Sequence, residues 1–267
     1  MTKRISSLIR AVAKWVLPKA CVEMITSTRL YERRVYLRHL TTFDESTEPE
    51  LTIVKQLVRA NGLAVDVGAN IGVYTKSLAQ WVGEGGTVIA IEPVPRTHDV
   101  LSYNVRRLRL RNVIVLPYAL ADYDGTGRVV VPRDSQGKRN IYLAHLLSKT
   151  SDLTQPAIDV PVRKLDTVLR AGERPAFIKI DVEGREFAVV SGALATIDRA
   201  RPQLLVEIQG DPDDPASDAY RLRRMLCDMG YWLCVQEGAR LRIRSPGDRR
   251  TNYFFLTEHI ARSFPVV

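Results

Sequence analysis

Five short apolar runs recur through the middle of the chain: LAVDV (63–67), TVIAI (87–91), VIVL (113–116), AFIKIDV (176–182) and QLLVEI (203–208). Runs this short, rich in β-branched residues and nearly continuous in hydrophobicity, read as strands of a parallel sheet buried on both faces. Stretches with apolar residues at helical spacing fill most of the gaps, at 72–82, 97–109, 184–198 and 217–229. A further helix, ELTIVKQLVRANG (50–62), is expected to stop before Gly62. Strands alternating with helices predict a single doubly wound α/β domain. Two later runs, YWLCVQ (231–236) and NYFFLT (252–257), flank the polar segment EGARLRIRSPGDRR. That segment suits a hairpin, so the last strand is expected to run antiparallel. Residues 121–162 break the rhythm with Gly125, Gly127, Pro132, Gly137, Pro156 and Pro161. They read as a long irregular insertion of the kind that carries function.

The first strand ends in a glycine turn, LAVDVGANIGVYT. Ligands of open α/β sheets bind beyond the carboxyl ends of the strands, and this turn is the usual place. A dinucleotide fingerprint would need glycines two and five residues after Gly68, where Asn70 and Val73 stand. Asp66 would also face a pyrophosphate across a partly dry cleft, which is unfavourable without a cation between them. A cationic ligand removes the conflict. S-adenosylmethionine has no phosphate and presents an ammonium, a sulfonium and a carboxylate, so Asp66 would attract its amino-acid end. Gly68 and Gly72 would let the backbone approach it. Glu92 follows Gly72 by 20 residues at the end of the second strand, in IAIEP, and is placed to accept the ribose hydroxyls.

In this order VDVGANIGVYT, IAIEP, ALAD and IKIDVEGREF closely resemble the FkbM family of S-adenosylmethionine-dependent methyltransferases, from about residue 50 to 257. The resemblance implies a Rossmann-like, seven-stranded methyltransferase sheet, mostly parallel with an antiparallel last strand, preceded by an N-terminal helical arm (residues 1–49, with the methyltransferase domain over 50–267). It implies O-methylation of a hydroxyl on a sugar, glycan or polyketide-like natural product. Carried over by position, Asp66, Gly68, Ala69, Asn70, Gly72 and Thr75 would line the methionine end of S-adenosylmethionine, and Glu92 and Pro93 the ribose. Ala119, Leu120 and Asp122 would lie at the adenine, and Asp181 would face the methyl donor and its acceptor.

FIKIDVEGREF places Lys179, Asp181, Glu183 and Glu186 within eight residues. Alternation would put 179, 181 and 183 on one face of a buried strand, an arrangement that demands pairing or a polar site. An alcohol must lose its proton as it is methylated, and a carboxylate within reach could take it. Asp181 and Glu183 are the candidate bases, with Lys179 orienting or stabilising oxygen charge; Glu207 comes next and His145, in the irregular loop, last. His98 reads as a surface residue near the adenosine.

Charge refines the picture. The chain carries +9 overall, and its first 40 residues hold nine Lys or Arg against two Glu, so the basic character sits in the arm. Apolar residues at 5, 8, 9, 12, 16 and 17 make that arm an amphipathic basic helix, suited to peripheral contact with an anionic membrane or to packing on the domain itself. Arg10, Lys14, Pro18 and Lys19 interrupt any signal peptide or membrane span. Three scattered cysteines give no disulfide framework or metal spacing and point to the cytoplasm, with the inner face of the membrane as a further location. No metal site is expected. The expected partner is a small-molecule or glycan acceptor, not nucleic acid: the place of an Asn/Asp-Pro-Pro-aromatic loop is taken by Asp181-Val-Glu-Gly. A nucleic-acid or protein methyltransferase of the same fold is the alternative.

Overall fold

The computed structural model describes residues 29–42, 47–132, 144–147 and 157–264. The chain divides into two compact units, Met1–Thr42 and Phe43–Val267. Of the first, the structure describes one polar helix, α1 (Arg29–Thr42); the amphipathic stretch expected at 5–17 lies outside the described residues. The second unit opens with α2 (Leu51–Leu57), β1 (Leu63–Val67), α3 (Val73–Val82), β2 (Thr87–Ile91), α4 (Pro95–Arg107) and β3 (Val113–Leu116). It continues through β4 (Ala119–Leu120), β5 (Gly125–Val130), β6 (His145–Leu146), β7 (Ala157–Arg163), α5 (Leu165–Val168) and β8 (Pro175–Ile180). It ends with α6 (Glu186–Ser191), α7 (Leu194–Ala200), β9 (Gln203–Glu207), α8 (Asp218–Asp228), β10 (Tyr231–Glu237), β11 (Arg240–Ile243), β12 (Asn252–Thr257) and α9 (Glu258–Ser263).

Among the described residues eight strands form the main sheet, in the order β11-β10-β12-β9-β8-β1-β2-β3. The five strands from β3 to β9 are parallel, and β12 is inserted antiparallel between β9 and β10. The order reverses between β1 and β8, which makes the gap at their carboxyl ends the natural ligand crevice. Both faces are covered. Val65, Val67, Ile178, Ile180, Leu204 and Val206 pack with residues of α6, α7 and α8 on one side. Ala64, Phe177, Leu205, Phe254 and Leu256 pack with α2 and α3 on the other. Strand alternation therefore assigns Asp66, Lys179 and Glu207 to the α2/α3 face.

Three features depart from the expected pattern. The sheet has eight strands rather than seven, because ARLRIR folds into β11 instead of a plain loop. Leu241 is buried there, Arg242 pairs with Asp248 through two bonds of 2.6 and 2.8 Å, and Arg244 pairs with Asp213 at 2.9 and 2.6 Å. Part of the irregular insertion is a second, four-stranded sheet, ordered β4-β7-β5-β6. Its glycines sit in strand rather than loop: a side chain at Gly127 would lie 2.7 Å from Val162. The single helix expected over 184–198 is broken into α6 and α7. Gly192 accepts from the Asp166 amide (3.1 Å), and the Asp166 carboxylate takes the amides of Ala195 and Thr196 (3.1 and 2.7 Å), so it caps α7 from the first turn of α5.

Gly192 also presses against the second sheet's start, where an added methyl would sit 2.0 Å from the Ala121 carbonyl oxygen. Alanine gains about 1 kcal/mol in helix propensity, but overpacking against backbone costs about 1–3 kcal/mol or more. Gly192→Ala is expected to lower Tm, whereas Gly172→Ala, with nothing within 4 Å, leaves it within about a degree or two. Thermal melts of both variants check this; equal Tm values would contradict the packing.

Candidate active site

A cleft of about 260 Å³ opens at the carboxyl ends of β1, β2, β8 and β9. Its floor is the turn from Gly68 to Gly72. The Gly68 and Ala69 amides both donate to the Ile91 carbonyl (3.0 Å each), Asn70 donates to Glu92 Oε2 (3.0 Å), and Gly72 donates to the Ala69 carbonyl (2.8 Å). With these amides engaged, the turn keeps no ring of N–H groups with which to hold a pyrophosphate. Gly68 is glycine for a reason other than ligand approach. Its φ is +77°, and a side chain there would meet the Asp181 carbonyl oxygen at 1.7 Å. The loop is thus pressed onto the end of β8, and Gly72 (φ +99°) starts α3.

Three acids of this floor are set differently. Asp66 is fully buried; its Oδ2 accepts from Thr75 Oγ1 at 2.6 Å, and its Oδ1 has no hydrogen-bond partner among the described residues. Burial raises its pKa, with Lys179 opposing the rise. Glu92 is also buried, and its two oxygens accept from the Asn70 and Val94 amides (3.0 and 2.9 Å). Burial pushes its pKa up to about 7. Asp181 accepts from Lys179 Nζ at 2.8 Å. The Lys179 ammonium is 5% exposed and lies 4.5 Å from the centre of the Tyr74 ring. Burial alone would lower its pKa, but Asp181 and Asp66 outweigh it and hold the pKa above the ordinary lysine value.

The strand stops at Ile180, so alternation does not carry as far as Glu183. Glu183 sits instead in a left-handed turn (φ +55°) followed by Gly184 (φ +90°), and accepts from the Gln209 side chain. Burial, reinforced by Asp181, raises its pKa. Glu207 lines the cleft without a hydrogen-bond donor among the described residues, and burial with Asp181 raises its pKa to about 7. Of the residues expected from sequence, Lys179, Asp181, Glu183, Asp66, Gly68, Ala69, Asn70, Glu92, Pro93, Ala119 and Leu120 line the cleft. Gly72 and Thr75 stand behind it, Thr75 as the support of Asp66. Asp122 is exposed and outside the lining. His98 is partly buried, which lowers its pKa. His145 lies in β6 and favours the ionised form of Glu183.

Other lining residues escaped the sequence reading. Glu48 accepts from the Tyr74 hydroxyl at 3.3 Å, and it precedes the position at which the sequence placed the start of the domain. Arg185 brings a guanidinium whose Nε is buried without an acceptor. Val129, Ala144 and Leu146 add an apolar wall from the second sheet and the residue before β6. Glu48 lay in no motif; Tyr74 and Arg185 sat inside VDVGANIGVYT and IKIDVEGREF at positions without an assigned role.

The model of the FkbM methyltransferase domain matches residues 66–233. The chain belongs to the FkbM methyltransferase family. No curated protein sequence matches it. Among solved structures it is similar to an FkbM methyltransferase from Methylobacillus flagellatus KT (19% identity, 75% of this chain, 45% of that one, TM-score 0.48). The chain thus spans less than half the length of that protein. It is also similar to an O-methyltransferase from Bacillus cereus in complex with SAH (15% identity, 93% of this chain, 96% of that one, TM-score 0.49). This member of the family has residues that fit S-adenosylmethionine: the buried Asp66 Oδ1, without a hydrogen-bond partner among the described residues, suits an ammonium, and Arg185 suits a carboxylate. Among the described residues no group of three or more His, Cys, Asp or Glu side chains could hold a metal ion, and no helix is long and apolar enough to cross a membrane.

The charges of the cleft have measurable consequences. A carboxyl group whose folded pKa is raised binds more protons folded than unfolded, so its contribution is lost as pH climbs from about 4.5 to about 7. The ligand-free enzyme is expected to lose stability over that window, and Glu207→Gln to flatten the loss; parallel curves in chemical denaturation would contradict the assignment. Lys179→Met leaves buried acids without their cation and is expected to cost about 3–5 kcal/mol near pH 8.

Proposed function

We propose that the enzyme transfers the methyl group of S-adenosylmethionine to a hydroxyl oxygen of a small-molecule or glycan acceptor, with Glu207 as the general base. One observation carries this reading: a carboxylate with its pKa near 7, engaged by no donor, stands in the same cleft as the cation-seeking Asp66. When bound, the sulfonium supplies a methyl group already activated for displacement, so the protein's task is alignment and proton removal.

Asp66 holds the ammonium of the donor, with Thr75 fixing the orientation of its carboxylate. Glu92 orders the turn through the Asn70 and Val94 amides and keeps lone pairs for the ribose hydroxyls. Arg185 takes the donor's carboxylate. Lys179 holds the Asp181 carboxylate at 2.8 Å in the cleft, so Asp181 can accept a hydrogen bond from the acceptor hydroxyl and orient it. Glu207 then takes the hydroxyl proton as the new carbon–oxygen bond forms. A base with a pKa near the working pH combines a large unprotonated fraction with useful basicity. Glu183 and Asp181 were the first candidates by position, but Gln209 and Lys179 already engage them.

The location remains part of the proposal: the basic arm would give peripheral contact with an anionic membrane at its cytoplasmic face. Calorimetry should show S-adenosylhomocysteine binding with micromolar affinity, abolished by Asp66→Ala, and no binding of NADH; the reverse would end the methyltransferase reading. Tritiated methyl transfer to a panel of glycosides and polyketide-like alcohols then tests the base. Glu207→Gln is expected to lower kcat about 100-fold or more with S-adenosylhomocysteine affinity unchanged.

A further inference from the structure

The cleft holds more carboxyl groups than its own cations and its methyl donor can pair. Its lining holds the carboxyl groups of Glu48, Asp66, Glu92, Asp181, Glu183 and Glu207 against the cations of Lys179 and Arg185. S-adenosylmethionine brings a net single positive charge. Lys179 is already shared between Asp181 and the Tyr74 ring. A concave, partly dry site with surplus acids focuses a negative potential that draws cations and repels anions.

The cavity is more than a run of acids, because its deepest carboxylate is incomplete. Asp66 is fully buried, and its Oδ1 has no hydrogen-bond partner among the described residues. That oxygen is open to a donor, and in the proposed function the ammonium of the methyl donor meets it. Glu48 is a further carboxylate of the lining, half-buried rather than enclosed. It reaches the cleft from the segment before α2, which the body of the domain holds in place. Gln236 donates to the Pro49 carbonyl at 2.9 Å, and Asn252 donates to Glu50 Oε1 at 2.9 Å, so β10 and β12 both anchor this segment. The Tyr74 hydroxyl fixes one oxygen of Glu48 at 3.3 Å. Burial, with Glu50 alongside, raises its pKa, so ionised Glu48 gains from a cationic neighbour. Ionised carboxylates only accept hydrogen bonds, so whatever lies against Glu48 must be a donor.

We propose, resting on the methyltransferase reading, that the acceptor carries a protonated amine near the hydroxyl that is methylated, an amino sugar or amino alcohol in chemical class, and that Glu48 reads that amine. A neutral polyol would supply donors but leave the repulsion among the acids in place. A phosphate or carboxylate near Glu48 would add to it.

The test uses the full chain saturated with S-adenosylhomocysteine and two matched sets of probes. One set is methyl glucosaminide, methyl glucoside and methyl glucuronide; the other is glucamine, glucitol and gluconate. A hydrogen bond to a charged partner corresponds to about tenfold or more in affinity. In at least one set the amine is expected to bind about tenfold more tightly than the neutral member, and the carboxylate least tightly. Glu48→Gln is expected to remove the advantage of the amine while leaving the neutral member and S-adenosylhomocysteine unaffected. Amines that bind no better than neutral members in both sets, or an advantage that survives Glu48→Gln, overturn the proposal. Failure of S-adenosylhomocysteine to bind overturns the methyltransferase reading and this proposal with it; uptake without amine preference overturns this proposal alone.

Discussion

The active site depends on one buried cation. Lys179 lies in β8 beside Asp66 of β1 in the parallel register, and both project to the same face of the sheet. A lone ammonium at 5% exposure would be expelled or neutralised. Here the Asp181 carboxylate at 2.8 Å and the face of Tyr74 hold it, while the field of Asp66 adds to its stability. The arrangement works in both directions, since the same ammonium is what allows several acids to remain charged in so small a volume. Without it burial would raise the pKa of Glu48, Asp66, Glu183 and Glu207 further, and the cleft would hold less of the negative charge that suits a cationic ligand.

Topology puts this cation where it is useful. The reversal of strand order between β1 and β8 leaves their carboxyl ends flanking an open crevice. The glycine at 68 lets the first turn lie directly on the Asp181 carbonyl, so the two strand ends share one backbone junction. The helix that follows the turn then delivers Thr75 to Asp66 and Tyr74 to both Lys179 and Glu48. A single strand–turn–helix therefore supplies the acid, its support and the aromatic shelf for the cation.

Much of this was legible in the chain because burial on both faces writes strands as continuous apolar runs. LAVDV and TVIAI became β1 and β2 without change of boundary. The acids stood out because charge inside such runs is rare. What stayed hidden depended on contacts between distant segments. β11 is made by arginines whose partners lie elsewhere, at Asp213 and Asp248. The second sheet was masked by glycines and prolines that usually mark loops. Gly192 breaks a helical pattern because of a neighbour 71 residues earlier, Ala121. Glu48 and Arg185 gained meaning only once the sheet brought them to one cavity, and Glu207 rose above Asp181 and Glu183 because theirs are the carboxylates already engaged.

The proposed mechanism requires the acidic crevice at the ends of β1 and β8 to receive the cationic end of a methyl donor. A crystal structure of the enzyme with S-adenosylhomocysteine tests it most directly. The amino group is expected on Asp66 Oδ1, the ribose at Glu92 and the carboxylate at Arg185. Electron density for the ligand that leaves Asp66 Oδ1 unpartnered, or that places the carboxylate end at Asp66, would contradict it.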